Sequence, residues 1–381
     1  MKASILQENL QKGLNLTSRA INSRVNLPIL GNILISTKEA KIKLTATNLE
    51  ISINVFLPAK KERSGQFTIP AKDITEFVSS LPTGRVDLEE KKEKLELVSG
   101  SYRAIFNGMS AAEFPQVPSL VDGKKEDVLK KTKIDTKSFI KAVNYVNFAA
   151  AQDENRPVLT GVRLSFEESN LQLVATDGYR LSLKKIKLEK KIDFPTLIIP
   201  ARALGEVVRI ITSNDSNGED EKLVLSITKD KTQVIFSYAD TEVIARLIED
   251  KYPDFSKIIP DKGENMAIID REEFYKAIKA ASIFARKSAN IVKFTFFNNN
   301  MTIEANAPEI GENEIKIGIR YKGDKEQIAF NYRFIQDFLS NFDQESLSLE
   351  ISGPLKPGLF KGEKDNSFLH VIMPVRLQDK E

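Results

Sequence analysis

The residues best suited to chemistry are few in this sequence, and their spacing does not assemble an active site. His370 is the single histidine and lies in the apolar run FLHVIMPVRL, where an imidazole is typically part of a core. The chain has no cysteine, which excludes disulfides and thiolate metal sites. Carboxylates are plentiful but scattered, so no two can be paired for acid–base catalysis. We therefore expect no catalytic residue, no metal and no other cofactor.

Motifs that hold phosphate groups or activate a serine are also missing from the sequence. There is no GxxxxGK[ST] loop, no GxGxxG after a strand and no GxSxG turn. Their absence favours a binding or scaffold protein over an enzyme. An enzyme with an unrecognised site stays open as an alternative, and it would need a cleft of convergent ionisable groups.

Composition points to a globular chain with several cores. The 381 residues are 41% hydrophobic and 29% charged, and this length is typical of two or three domains. The net charge is only +3, from 56 basic and 53 acidic residues, so any contact with DNA should be loose or imposed by geometry. We expect a cytoplasmic protein, since the N-terminus lacks a signal-peptide core and no apolar stretch approaches the ~20 residues that span a bilayer.

Four landmarks recur at intervals of about 130 residues, which indicates three repeats of one unit. Helical periodicity begins near Gln7, Thr136 and Arg271. A predicted strand follows each helix, in LPILGNILIS, RPVLTGVRLS and NIVKFTFFNN. The remaining landmarks are matched alanines and a second helix start, at Ala46, Ala175 and Ala305 and at Lys72, Arg202 and Arg333. Each repeat therefore predicts an α+β unit with two helices, and charged linkers lie at 121–137 and 259–270.

Several segments resemble the beta subunit of bacterial DNA polymerase III, the sliding clamp family. They are LPILGNILI (27–35), ENRPVLTGVRLS (154–165), VATDGYRL (174–181), YPDFSKIIP (252–260), ANAPEIGENE (305–314) and VIMPVRL (371–377). The resemblance covers essentially the whole chain. ATDGYRL and MPVRL are specific together, because they lie far apart in the chain yet belong to one site in the family.

The resemblance implies a head-to-tail dimer in which six similar domains close a ring. Helices would line the hole and sheets would form the outside, with clamp domains at 1–121, 130–258 and 262–381. Twelve helices, each ~10 Å wide, would leave a hole of ~25–30 Å. Such a ring would admit duplex DNA without gripping it.

The implied function is to encircle duplex DNA during replication and to make the polymerase processive, without catalysis. The implied partners are double-stranded DNA bound independently of sequence, the polymerase III catalytic subunit, a clamp-loader ATPase, other polymerases and repair factors that carry short linear motifs, and a second copy of this chain; no membrane is involved. The alternative is a repeat scaffold that does not bind DNA.

Three sets of residues would carry this function. Basic residues that would face DNA are Arg24, Lys12, Arg19, Lys72, Lys141, Arg202, Arg209, Lys276, Lys279 and Arg333. The resemblance implies a pocket for partner peptides lined by Leu159, Thr176, Gly178, Tyr179, Arg180, Leu181, Pro253, Lys257, Ile258, Pro357, Val371, Met373, Pro374, Val375, Arg376 and Leu377. Within it, Arg180 and Arg376 are suited to an acidic or polar partner end. The seam of the dimer would contain Phe106, Ile283 and Phe284, although an ordinary core role for these three is an open alternative.

Overall fold

The computed structural model describes residues 1–22, 27–92, 94–122, 127–153, 155–214, 221–260, 263 and 265–376. These residues cluster into two compact units. The first unit combines residues 1–136 with 202–247, and the second combines residues 137–201 with the described part of 248–381.

Six α-helices occur in the described residues, two in each repeat. They are α1 (Gln7–Thr17), α2 (Ala71–Ser80), α3 (Thr136–Asn147), α4 (Ala201–Asn214), α5 (Arg271–Ala285) and α6 (Tyr332–Asn341). The first helix of each repeat begins at the residue that the periodicity predicts. Across the described ranges, no helix combines the length and the apolar composition that crossing a membrane requires.

The strands follow the same order in each repeat. Those of the first repeat are β1 (Lys2–Leu6), β2 (Asn32–Lys38), β3 (Lys41–Thr47), β4 (Ile51–Pro58), β5 (Lys60–Arg63), β6 (Gln66–Pro70), β7 (Arg85–Lys91), β8 (Lys94–Ser99) and β9 (Tyr102–Asn107). Those of the second are β10 (Val128–Ile134), β11 (Gly161–Glu167), β12 (Asn170–Thr176), β13 (Arg180–Lys187), β14 (Leu197–Pro200), β15 (Leu223–Thr228), β16 (Gln233–Tyr238) and β17 (Thr241–Arg246). Those of the third are β18 (Asn265–Asp270), β19 (Ile291–Phe297), β20 (Asn300–Ala307), β21 (Gly311–Gly318), β22 (Arg320–Lys322), β23 (Glu326–Asn331), β24 (Ser346–Ile351), β25 (Gly358–Gly362) and β26 (Phe368–Ile372).

The segments predicted as long strands after the first helices begin differently. Residues Pro28–Gly31 and Pro157–Thr160 form short 3-10 turns, and the strands β2 and β11 start only after them. Proline at the first position of a helical turn fixes a suitable φ and has no N–H to leave unpaired. The turns bury Leu30 and Leu159, which explains why the segments are apolar without being strands.

Two sheets lie in each unit. The first unit has a five-stranded sheet in the order β5-β1-β7-β8-β9 and an eight-stranded sheet in the order β10-β15-β16-β17-β4-β3-β2-β6. The second unit has a nine-stranded sheet in the order β14-β11-β12-β13-β26-β25-β24-β18-β22 and a four-stranded sheet in the order β21-β20-β19-β23. The larger sheet of each unit therefore combines strands of two consecutive repeats.

The repeats are joined by one antiparallel strand pair at each boundary. β4 of the first repeat pairs with β17 of the second, with Ile53 opposite Val243. β13 of the second repeat pairs with β26 of the third in the equivalent way, with Ser182 opposite His370. In the first repeat β9 corresponds to β17 and β26, and in the third repeat β21 corresponds to β4 and β13. Both β9 and β21 are edge strands of their sheets.

The first helices of the first and third repeats, α1 and α5, pack on the strands beside them. In α1 the buried residues include Leu10 and Leu14, which recur at helical spacing. Gly13 lets the helix approach β4 closely, because a Cβ there would lie 2.5 Å from Cδ1 of Leu57. This close approach outweighs the cost of about 1 kcal/mol that glycine carries inside a helix. The polar side of the helix is left exposed.

The single histidine belongs to the core of the second unit. His370 is fully buried, its ring stacks on Phe338, and its Nδ1 forms a 2.7 Å hydrogen bond with the hydroxyl of Ser182. Burial, and to a smaller extent the charge of Arg180, holds the pKa of His370 well below its ordinary value. The histidine is therefore structural, and it stays neutral in the folded chain.

This burial predicts a pH-dependent stability. The unfolded chain binds a proton at this histidine below pH ~6.5, whereas the folded chain does not. The free energy of unfolding should therefore fall as the pH is lowered from 6.5, by at most about 1.4 kcal/mol per pH unit. Urea unfolding at several pH values between 7 and 5 measures the slope. The free energy of unfolding of His370→Asn should depend less steeply on pH, because only carboxylates then titrate between pH 7 and 5. Equal slopes for the two chains would contradict the conclusion that His370 stays neutral in the folded chain.

Candidate functional site: basic helix faces and an apolar groove

One exposed lysine recurs on the first helix of every repeat. Lys12, Lys141 and Lys276 are each the sixth residue of their helix, and all three are exposed. Packing does not require a lysine on the face opposite the core. A cation at one helical position in all three repeats therefore points to a shared anionic ligand.

A second basic position recurs at the start of the other helices. Lys72, Arg202 and Arg333 are each the second residue of α2, α4 and α6, and all are exposed. A helix N-terminus carries partial positive charge, so a cation there costs about 0.3–1 kcal/mol. Three repeated costs of this kind favour a role in binding over a role in stability.

Carboxylates neutralise several of the predicted DNA-facing cations. The ion pairs join Lys141 to Asp343 (2.8 Å), Lys276 to Glu272 (2.6 Å), Lys72 to Glu76 (3.9 Å), Arg209 to Glu206 (2.6 Å) and Arg19 to Glu206 (3.7 Å). Such pairs lower the net positive charge without removing the cations. The surface can therefore attract phosphates weakly.

The other predicted cations differ from these. Lys12, Lys279 and Arg333 form no ion pair with any residue that the structure describes. Arg202 donates a hydrogen bond from Nη2 to Oδ1 of Asn22 at 2.6 Å, and Arg24 lies outside the described residues. In the first unit, a cleft of about 360 Å³ is lined by Lys12 and Arg19 of the first repeat and by Ser213, the residue before the last in α4.

Several residues predicted to line the peptide pocket belong to one apolar cluster in the second unit. Its buried members are Val174, Leu181, Leu183, Ile198, Tyr252, Leu359 and Val371, and partly buried side chains including Ile258 pack against them. The structure thus brings together Leu181, Ile258 and Val371, which the sequence separates widely. Leu159 and Thr176 are buried as well.

The remaining pocket residues lie nearer the surface. Tyr179, Pro253, Lys257, Met373 and Arg376 are exposed, and Pro357, Pro374 and Val375 are half-buried. Leu377 lies outside the described residues. The C-terminal segment is fixed by backbone hydrogen bonds, from Met373 N to Tyr179 O at 2.9 Å and from Val375 N to Ala329 O at 2.8 Å. A cluster of apolar side chains whose neighbours in the chain include exposed polar and aromatic residues suits a short peptide with apolar anchors.

A tight turn between β12 and β13 presents Gly178 and Tyr179. Oδ1 of Asp177 accepts hydrogen bonds from the backbone N–H groups of Tyr179 (2.9 Å) and Arg180 (3.0 Å). Gly178 has a φ of +92°, a conformation that glycine adopts without steric cost. A Cβ at Gly178 would lie 2.9 Å from Nη1 of Arg156, so the turn is also tightly covered on one side.

Arg180 is buried, and the structure surrounds it with internal partners. Its Nη1 donates to Oδ2 of Asp337 at 2.7 Å and its Nε to Oδ2 of Asp177 at 3.0 Å. Its Nη2 donates to the carbonyl oxygen of Phe148 at 2.8 Å, and the guanidinium lies 4.7 Å from the ring centroid of Phe334. These contacts hold the Arg180 side chain inside the second unit, whereas the cations of Lys257 and Arg376 are exposed.

Sequence reasoning missed the residues that complete this arrangement. Phe334 stacks with Tyr179 at a centroid distance of 6.5 Å, while Phe148 and Asp337 hold the guanidinium of Arg180. The helical spacing of Phe334 and Asp337 in α6 was visible, but their contact with a turn about 150 residues earlier was not.

The predicted seam residues occupy three different settings. Phe106 on β9 is half-buried, with its ring edge-to-face against Phe77 at 5.6 Å. Ile283 on α5 is 49% exposed, whereas Phe284 packs against the core of the third repeat. Sequence reasoning missed Ile105, an exposed apolar residue on β9, although the alternation of the strand could have revealed it.

Comparison with known proteins matches three successive parts of the chain to one family. The N-terminal, central and C-terminal domain models of the DNA polymerase III beta subunit match residues 1–118, 133–254 and 256–376. The beta sliding clamp of Staphylococcus aureus is 29% identical over 387 aligned positions, which cover 99% of each chain.

Solved structures agree with the sequence matches. The DNA polymerase sliding clamp from Bacillus subtilis superposes with a TM-score of 0.92 at 28% identity, covering 99% of this chain and 100% of that one. A putative DNA polymerase III beta subunit from Eubacterium rectale gives 0.90 at 26% identity with the same coverage. The chain therefore belongs to the family of the DNA polymerase III beta subunit.

Proposed function

We propose that this protein is a DNA sliding clamp, a non-catalytic ring that encircles duplex DNA and tethers the replicative polymerase. The observation that carries the proposal is the threefold recurrence of exposed cations, at the sixth residue of α1, α3 and α5 and at the second residue of α2, α4 and α6. A ligand contacted equivalently by three repeats must itself repeat, as the phosphate backbone does. Membership of the clamp family supports the same function.

Loose contact suits a ring that must move along DNA. Phosphate contacts are independent of sequence and weaken as salt rises, and ion pairs with neighbouring carboxylates weaken them further. The ring would hold DNA by topology, and a polymerase bound to it would rebind before it diffuses away.

The strand pairing inside the chain supports closure by a second copy. The pairs β4–β17 and β13–β26 join consecutive clamp domains, which we place at 1–121, 130–258 and 262–381. The equivalent strands left over are β21 of the third domain and β9 of the first, both sheet edges. If β21 paired with β9 of a second copy, and β9 paired with β21 of that copy, the two chains would close a head-to-tail ring.

The internal junctions also define the register of this proposed seam. Ala46 lies opposite Ile53 in the hairpin of β3 and β4, and Ala305 lies opposite Asn313 in the equivalent hairpin of β20 and β21. Leu97 lies opposite Ala104 just as Phe236 lies opposite Val243. Since Ile53 pairs with Val243, Asn313 should face Ala104 of the partner subunit.

This register gives the seam complementary charges and apolar cover. It places Glu314 opposite Arg103 of the partner subunit, two residues of opposite charge. Ile283 is the twelfth residue after the start of α5, as Arg19 is in the first repeat, where it lies beside α4. Ile283 should accordingly lie beside α2 of the partner subunit.

The groove on the second unit would bind the partners. Its apolar floor suits short linear motifs of the polymerase III catalytic subunit, other polymerases and repair factors, which would compete for it. A clamp-loader ATPase would open the ring, because the sequence has no phosphate-binding loop of its own. Acting on the bacterial chromosome places the protein in the cytoplasm.

Retention on circular DNA tests the proposal. The chain is loaded with the clamp loader of its own bacterium and ATP onto a nicked plasmid, and DNA-bound protein is separated by gel filtration at moderate salt. We expect the protein to elute with circular plasmid and to be released when one restriction cut makes the plasmid linear. Equal retention on both forms would indicate ordinary binding, and a monomer without retention would favour the scaffold alternative.

A further inference from the structure

A buried carboxylate lies between two of the predicted DNA-facing arginines. Glu206 on α4 is only 8% exposed. Its Oε1 accepts a 2.6 Å hydrogen bond from Nη1 of Arg209, and its Oε2 lies 3.7 Å from Nη1 of Arg19. The carboxylate of Glu206 thus contacts one arginine that follows α1 and another that lies on α4.

The setting of this carboxylate is poor for stability. Oε2 of Glu206 is buried and accepts no hydrogen bond from any described residue, and the ion pair with Arg19 at 3.7 Å is too long to replace one. An apolar side chain at this position would avoid the cost of this unpaired atom. Features that break the rules of stability are expected at functional sites.

The other repeats carry an acid at the same helical position. Glu76 and Asp337 stand four residues after Lys72 and Arg333, as Glu206 stands four residues after Arg202. Glu76 pairs loosely with Lys72 at 3.9 Å, and its side chain is 69% exposed. Asp337 pairs with Arg180, away from the predicted DNA-facing set. Glu206 alone of the three lies between two predicted DNA-facing arginines.

We propose that Glu206 limits the affinity of the clamp for DNA by holding Arg19 and Arg209 against the helices and neutralising one of them. The inference rests on the proposed function, since it assigns a regulator to the same DNA-facing surface. A phosphate that engages either arginine must compete with the carboxylate. The result is a weaker contact and faster movement along the duplex.

The isosteric variant Glu206→Gln tests this role. Binding of the dimeric protein to a fluorescent duplex is measured by anisotropy between about 50 and 200 mM salt. Each phosphate contact adds about 0.9 to the slope of log affinity against log salt. For Glu206→Gln we expect a steeper slope, corresponding to one or two additional phosphate contacts. The variant should therefore bind more tightly than the natural chain at low salt, and the ratio of the two affinities should fall about 3.5-fold for each additional contact as salt rises across this range.

Glu76→Gln is the matched control. It removes the same charge from the equivalent position of α2, where the carboxylate holds only one exposed lysine. Its slope should change by less than half as much as that of Glu206→Gln. Equal changes in both variants would mean that the general loss of negative charge, rather than release of the arginines, is responsible, and would overturn the proposal.

A second pair of variants separates this role from a purely structural one. Replacing Arg19 and Arg209 with glutamine should reduce the slope strongly in the Glu206→Gln background and only weakly in the natural chain. Equal reductions in both backgrounds would overturn the proposal even if Glu206→Gln unfolds more easily. If the natural chain is not retained on circular plasmid, the proposed function itself is wrong. If it is retained but the slope of log affinity against log salt is the same for the natural chain and Glu206→Gln, only the proposed role of Glu206 is wrong.

Discussion

A chain in which Ala104 and Asn313 are both replaced with cysteine is expected to form a covalently closed dimer under mild oxidation. The natural chain has no cysteine, so every cross-link must come from the introduced pair. Directly opposed residues in antiparallel strands have Cβ atoms about 4.5–5.5 Å apart, which small adjustments bring within disulfide range. Each dimer should contain two links, and its mass on a non-reducing gel should be twice 42.8 kDa.

The proposed register supplies a control for this experiment. Ala104→Cys combined with Ile315→Cys displaces the pair by two residues, to a separation of about 7–8 Å that a disulfide does not bridge well. This pair should cross-link far less. If it cross-links as readily as the first pair, the register is wrong, and ladders of larger oligomers would indicate an open chain instead of a closed ring.

Circular DNA makes the consequence of cross-linking large. A ring loaded on a nicked plasmid and then oxidised should stay with the plasmid in denaturing detergent, because only topology holds it there. Addition of a reducing agent or one cut in the DNA should release it. Release by detergent before either treatment would contradict encirclement.

Gly178→Leu is expected to weaken peptide binding to the proposed pocket roughly 10- to 100-fold while leaving the fold intact. The first repeat already has leucine at the equivalent position, since Leu49 adopts a φ of +76°. The hydrogen bonds of the two turns correspond: Thr47 Oγ1 accepts from Leu49 N at 3.0 Å, and Thr176 Oγ1 accepts from Gly178 N at 3.0 Å. The turn therefore tolerates leucine, at a strain of about 1–2 kcal/mol.

The added side chain should remove space that a peptide needs. Loss of burial for one apolar anchor costs about 1.5–3 kcal/mol, which corresponds to a roughly 10- to 100-fold weaker complex. Fluorescence anisotropy with a peptide from the clamp-binding segment of the polymerase measures the change. Circular dichroism and the mass in solution check that folding and dimerisation are kept.

Leu49→Gly is the converse control. It opens the equivalent turn of the first repeat, where Ser52 replaces the apolar Leu181 of the groove. Peptide affinity should therefore stay unchanged. Full peptide binding by Gly178→Leu would show that the groove does not extend to this turn.

Much of the fold could be predicted from local patterns, because helical spacing is recorded in the chain itself. Gln7, Thr136 and Arg271 begin helices where the periodicity places them. The segment LPILG was wrong as part of a strand, because proline favours a helical turn while the apolar pattern of a buried turn and a buried strand is the same.

The contacts of the site residues could not be predicted, because their partners lie far away in the sequence. The sequence predicts that Arg180 meets a partner's acidic or polar end, but Asp337 and the carbonyl group of Phe148 already bind its guanidinium. The ion pairs of Arg19 and Lys141 depend on Glu206 and Asp343, which come about 190 and 200 residues later. The exposed lysines could be placed on a helix face from spacing alone, whereas their neutralisation could not.

The buried carboxylate of Glu242 adds hydrogen bonds to the junction between the first two repeats, beyond those of its strand pair. It accepts hydrogen bonds from Asn54 Nδ2 at 2.9 Å and from the backbone N–H groups of Leu120 (2.7 Å) and Val121 (3.1 Å). The segment that leaves the first repeat is thereby fastened to the same pair of strands that joins it to the second. In the proposed ring, a force that separates the domains would be resisted at this junction by the peptide chain, the strand pair and these hydrogen bonds, whereas the proposed seam between β21 and β9 would have only noncovalent contacts. We therefore expect a clamp loader to separate the two chains at the proposed seam.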